Sequence, residues 1–136
     1  MEFISVRIIS PDVPRLVAFY EKALSVPAAW ATEDFAELAT SRATLAIGGV
    51  RTVAMLPAGT LRPAENRSVI LEFLVEDVDA LHRALIESAV VPAEDRVNEP
   101  TTMPWGNRSL LVRDPDGNLV NFFTPVTPEA VRKFAR

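Results

Sequence analysis

The chain has 136 residues, of which 49% are hydrophobic and 24% charged, and its formal net charge is −4 at pH 7. That length suits one domain or two half-size modules sharing a core, and the mild acidity offers no field for nucleic acid or an anionic membrane. The absence of cysteine excludes disulfides, thiolate metal sites and cysteine nucleophiles.

The opening stretch, Met1 to Ile9, is interrupted by Glu2 and Arg7 and alternates like a strand, not like a signal peptide. Phe3 to Ile9 is the first predicted strand, with Val6 and Ile8 on one face and Ser5, Arg7 and Ile9 on the other. Asp12 is placed to cap a following helix that has Pro14 in its first turn, and Leu16, Phe19, Tyr20 and Leu24 recur at helical spacing. Residues 28–40 and 43–47 read as strands, the first of them open to interruption at Thr32-Glu33-Asp34, and Gly48-Gly49 breaks the pattern. From Arg51 to Arg67 no period is strong, and Pro57, Gly59, Pro63 and Asn66 mark a linker with room for one short helical turn.

The pattern then begins again. Residues 69–75 form a strand, Asp77 caps a helix from Val78 to about Ser88, and residues 90–98 are extended. A loop runs from Glu99 to Gly106, and the strands 109–113 and 119–124 flank the turn Asp114-Pro115-Asp116-Gly117-Asn118. Pro128 to Arg136 reads as a short helix. Residues 5–28 and 70–93 align without a gap at an offset of 65, six of 24 positions being identical, and Asp12 falls on Asp77. A long period present twice is a duplicated supersecondary unit. The expected fold is α+β: two tandem βαβββ modules forming a curved mixed sheet around a cavity, with helices outside. Module one covers about 1–50, the linker about 51–67, module two about 68–125 and the tail 126–136, in a single domain.

Three segments carry a resemblance to a known family: residues 10–24, residues 71–85, and residues 104–123 with Trp-Gly-Asn-Arg followed by Asp-Pro-Asp-Gly-Asn. Together they resemble the glyoxalase / bleomycin resistance / dioxygenase superfamily, also called vicinal oxygen chelate proteins. In metal-using members of such a family the resemblance implies three ligand places. Two are in the first strand of each module, seven residues before the capping Asp, and one is in the last strand. Here those places hold Ser5, Ile70 and Asn121. None offers imidazole or carboxylate to a divalent metal. The one histidine, His82, lies mid-helix beside Leu81 and Leu85 and reads as a surface residue. No metal or other cofactor is therefore expected.

Strand parity places Arg7, Ile9, Glu72, Leu74, Asn121 and Phe123 on the concave side of the sheet. Arg7 and Glu72 are equivalent in the two repeats. They read either as a polar pair orienting a ligand or as an ion pair bracing the sheet or a dimer contact. Glu72 is also the first candidate for any acid–base step. Trp30, Phe35, Trp105 and Phe123 offer a stacking surface, with plain core packing as the competing reading. The Trp105 loop is expected at the cavity mouth, with Arg108 as a nearby donor. Asp114 and Asp116 belong to a tight turn, and no phosphate loop or Ser-His-Asp order is present.

The function these residues lead to is metal-free binding and sequestration of an apolar or aromatic small molecule, by a cytoplasmic homodimer with no nucleic-acid or membrane partner. A lyase, isomerase or dioxygenase-like enzyme with an atypical site is the alternative, and a regulatory partner with a vestigial cavity is a third.

Overall fold

The structure is a computed structural model and describes residues 1–135. The chain forms two compact units: Met1–Asn66 with Pro115–Gly117, and Arg67–Asp114 with the chain from Asn118 onward. The segment expected as a linker, about 51–67, lies within the first unit as far as Asn66.

In the first unit the strand β1 (Ser5–Ser10) leads through Asp12 into helix α1 (Val13–Leu24). The Asp12 carboxylate accepts from the Arg15 backbone N–H at 3.2 Å, satisfying a donor that the first helical turn leaves open. Six residues of α1 are buried, Leu16 and Tyr20 fully, and Phe19 meets Tyr20 edge-on at 4.9 Å. The helix stops at Ser25, which takes the left-handed conformation at φ 52°. Beyond it, Glu21 accepts from the Ala28 N–H at 2.9 Å. Three strands follow: β2 (Ala29–Thr32), β3 (Phe35–Ala39) and β4 (Thr44–Gly49). Residues 28–40 are thus two strands broken at Glu33-Asp34, and β4 runs through both glycines. Gly49 lies so close to the Asp34 carboxylate that a side chain there has no room.

The second unit repeats the plan with β5 (Ile70–Leu74), α2 (Val78–Glu87), β6 (Thr101–Thr102), β7 (Asn107–Arg113), β8 (Leu119–Pro125) and a final helix α3 (Pro128–Phe134). Asp77 caps α2 as Asp12 caps α1, accepting from the Ala80 N–H at 3.0 Å. The Val78 N–H donates to Thr124 Oγ1 at 2.9 Å and so fastens the helix start to β8. The extended stretch expected at 90–98 contains a 3-10 turn at Ala93–Asp95, and the loop expected at 99–106 contains β6. Asp114 is 2% exposed, and its two carboxylate oxygens take the Asn118 backbone and side-chain N–H groups, each at 2.9 Å. That is a turn-building role, not a catalytic pair.

Each unit holds one four-stranded mixed sheet, in the orders β1-β4-β3-β2 and β5-β8-β7-β6. In both, the first strand pairs in parallel with the last and the remaining neighbours are antiparallel. The helix between the first two strands covers one face. Under α1 lie Ala36, Leu38, Leu45 and Ile47; on the α2 side lie Leu110, Val112, Val120 and Phe122. Arg108 belongs to this second face, where its guanidinium donates from Nε and Nη2 to the Asp79 carboxylate at 2.7 and 2.9 Å.

Two predictions follow from these helix starts. Asp12→Ala and Asp77→Ala should each lower unfolding stability by about 1 kcal/mol, read from urea midpoints with unchanged slopes. The paired Arg108 hydrogen bonds hold the Asp79 carboxyl below its ordinary value of 3.8. A carboxyl lowered on folding contributes stability above its ordinary value and loses it as pH falls through the lowered one. Arg108→Met should therefore flatten the fall in urea midpoint below about pH 4 relative to wild type. Parallel curves for the two proteins would count against the pairing.

Candidate functional site

The registers decide which side chains share the open face of each sheet. In the first unit Arg7 lies beside Ala46, which lies beside Glu37, and Ile9 lies beside Gly48, which lies beside Phe35. Arg7, Ile9 and Phe35 therefore share the face away from α1. Glu37, which the sequence reading did not single out, joins them, although its parity with Phe35 was readable. Trp30 does not belong to this set. It stands opposite Ala36, on the α1 side of the edge strand, and is 45% exposed. A register shift between Trp30 and Thr32 makes parity counted from Phe35 misleading there.

A cavity of about 400 Å³ opens in this first unit between Ile9 and the segment that follows β4. Val50, Val53, Leu56, Leu61 and Pro63 line it. The wall is built by a 3-10 helix at Val50–Val53, pinned by Thr52 Oγ1 donating to Gly49 O at 2.6 Å, and by a turn in which Thr60 donates twice to Pro57 O. The lack of period in residues 51–67 reflects a loop folded on itself.

In the second unit β5, β8 and β7 set Glu72 beside Asn121 beside Leu111, and Leu74 beside Phe123 beside Ser109. Glu72, Leu74, Asn121 and Phe123 thus occupy one face, away from α2, as parity predicts. Asn121 donates from Nδ2 to Glu72 Oε2 at 2.8 Å. Ser109 is fully buried, and Asn121 and Asn107 are 6% and 8% exposed. Asn121 Oδ1, Ser109 Oγ and Asn107 Oδ1 have no hydrogen-bond partner among the described residues. Phe123 meets Phe134 at 5.0 Å, which brings α3 onto the same face.

Two further candidates lie elsewhere. Arg108 alternates with Ser109 and so points to the α2 side, where Asp79 engages it; the expectation of a pocket donor there is corrected. Trp105 is 65% exposed in the β6–β7 turn, closed by the Met103 N–H on Asn107 O and the Gly106 N–H on Met103 O. Gly106 has φ 92° and faces Thr127 so closely that a Cβ has no room.

The three places that correspond to family metal ligands do not fit a metal. Ser5 is exposed at the start of β1, Ile70 is 49% exposed and carries no lone pair, and the Asn121 amide is already turned toward Glu72. Among the described residues no group of three or more His, Cys, Asp or Glu side chains is placed to hold an ion. None of their helices is long and apolar enough to cross a membrane.

Comparison with known proteins agrees with this architecture. An uncharacterized protein, YraH, of Bacillus subtilis (strain 168) is 25% identical over 128 residues, spanning 90% of this chain and 98% of that protein. A glyoxalase/bleomycin resistance protein/dioxygenase family enzyme from Burkholderia phytofirmans PsJN superposes with a TM-score of 0.79 at 17% identity, over 93% of this chain and 100% of that one. A lactoylglutathione lyase from Agrobacterium tumefaciens does so at 0.66 and 19%, over 90% and 92% of the two chains. The sequence profile of the Glyoxalase/Bleomycin resistance protein/Dioxygenase superfamily matches residues 3–122, and the chain belongs to that superfamily.

Proposed function

We propose that this member of the superfamily is a metal-free small-molecule binding protein, akin to bleomycin resistance proteins, that sequesters an apolar or aromatic ligand on its open sheet faces. The observation that carries the reading is Asn121. At the place where a metal-using relative is expected to present a carboxylate, this chain has an amide that donates to Glu72. A neutral amide bound to a neighbouring carboxylate orients a ligand better than it holds a cation. The surroundings support a binding role, with apolar Leu74 and Phe123 beside a few convergent polar groups. The alternative is a lyase, isomerase or dioxygenase-like enzyme on the same fold. It draws support from the position of Glu72, a carboxylate at the centre of an open strand and exposed enough to meet a substrate proton.

Metal analysis after exhaustive dialysis should find no stoichiometric Zn, Ni, Mn or Fe. One equivalent retained would overturn the metal-free reading. Titration with a panel of aromatic natural products should give saturable binding with no product. Turnover abolished by Glu72→Gln would establish the enzyme alternative instead.

We also propose a two-fold homodimer. Its support is the apolar surface left at Ile70, Leu74 and Trp105, which are 49%, 47% and 65% exposed. Sedimentation at micromolar concentration should give twice the chain mass, and a monomer alone would refute the proposal.

A further inference from the structure

We infer that the cavity of the first unit is a binding site for an uncharged, chiefly aliphatic small molecule. This rests on the binding-protein reading above and gives that reading a place and a ligand class. At about 400 Å³ the cavity falls within the ~300–1,000 Å³ of sites that take a small molecule. Its floor is Ile9, beside Gly48 on the open face of the first sheet, and its wall is drawn from the segment between Val50 and Pro63. Val50, Leu56 and Leu61 stand exposed around this one opening. Single exposed apolar side chains are ordinary, whereas several converging on a cavity gain by being covered. The wall holds its shape through its own bonds. Thr52 Oγ1 donates to Gly49 O at 2.6 Å, and the Leu56 and Thr60 N–H groups donate to Val53 O and Pro57 O at 3.0 and 3.1 Å. A ligand therefore has little ordering of the loop to offset.

The wall is also cleared of charge. Between Val50 and Pro63 the only charged residues are Arg51 and Arg62, and neither lines the cavity. Arg51 pairs with Asp34 and Glu33 at 3.3 and 3.7 Å, and Arg62 pairs with Glu65 at 3.7 Å. Both guanidinium groups are thus engaged by carboxylates outside the lining. Arg7, two residues before Ile9 on the same face, is outside it as well. Among the described residues Thr60 is the one polar side chain in the wall, and its hydroxyl donates to Pro57 O at 2.6 Å. A carboxylate or ammonium group brought in would lose water and meet no counter-charge, at a far higher cost than a hydroxyl. No aromatic side chain among the described residues lines the cavity, so a flat ring finds no stacking partner there. Branched side chains and prolines make the contact surface aliphatic.

The test uses the intact protein with 1-octanol, octanoate, octylammonium and 2-naphthol as probes, followed by calorimetry and backbone amide shifts. Octanol should bind saturably and shift the amides of residues 9, 53, 60 and 61. Octanoate and octylammonium should bind about tenfold more weakly or worse, and 2-naphthol more weakly than octanol. Leu61 is exposed, so Leu61→Glu should leave the thermal midpoint in place. That variant should weaken octanol and strengthen octylammonium, because the wall then carries a counter-charge. Charged probes matching octanol, 2-naphthol matching it, or octanol indifferent to Leu61→Glu overturns the inference. So does the absence of any saturable probe, including the case where the same amides shift on diluting the protein and a second copy is the occupant. Probes that saturate at residues 72, 121 and 123 instead overturn this placement but leave the binding-protein reading standing. A retained equivalent of metal fails that reading and this inference with it.

Discussion

The parallel pairing of the first and last strand in each unit is the constraint on which the other positions depend. Two parallel strands need a crossover between them, and a helix is the usual way to make it. The helix then buries one face of the sheet and leaves the other for chemistry. In the second unit this pairing brings Glu72 and Asn121, 49 residues apart, within hydrogen-bond distance. One step of slip between β5 and β8 would send the amide to the α2 side and leave the carboxylate alone.

The fold was largely legible because its determinants are local. The capping aspartates, the period-3.6 stripe of α1 and α2, and the alternation of β1, β5 and β8 lie within short windows of sequence. So do the parities of Arg7, Glu72, Asn121 and Phe123. What escaped depends on neighbours distant in sequence. Ser109 reads as a polar residue at a strand start, and only the register beside Phe123 and the burial of its face reveal an oxygen without a partner. Arg108 reads as a free donor until Asp79, 29 residues earlier, takes it. Trp30 is misplaced by a local irregularity that no propensity scale registers. The segment after β4 has no period at all, so its folding around Ile9 is a purely tertiary fact.

The superfamily fold carries no single chemistry; the side chains on its open faces decide what each member does. At the place that the resemblance gives to a metal-binding carboxylate, this chain has the Asn121 amide, which donates to Glu72. On the other side of the same strands lies the apolar layer, where Leu110, Val120 and Phe122 are completely enclosed.

The duplicated helices are not equal in how they are held. Helix α1 buries six residues, among them an aromatic pair, whereas α2 buries only Val78 and Leu85 and relies on its ties to Thr124 and Arg108. Buried apolar area carries no charge for salt to screen, and a half-exposed guanidinium–carboxylate pair does. The two copies of one ancestral hairpin of strand and helix therefore differ in their solvent sensitivity. Screening salt should weaken the charge pair that helps hold α2 and not the apolar packing that holds α1, so amide exchange in α2 is expected to rise with salt more than in α1.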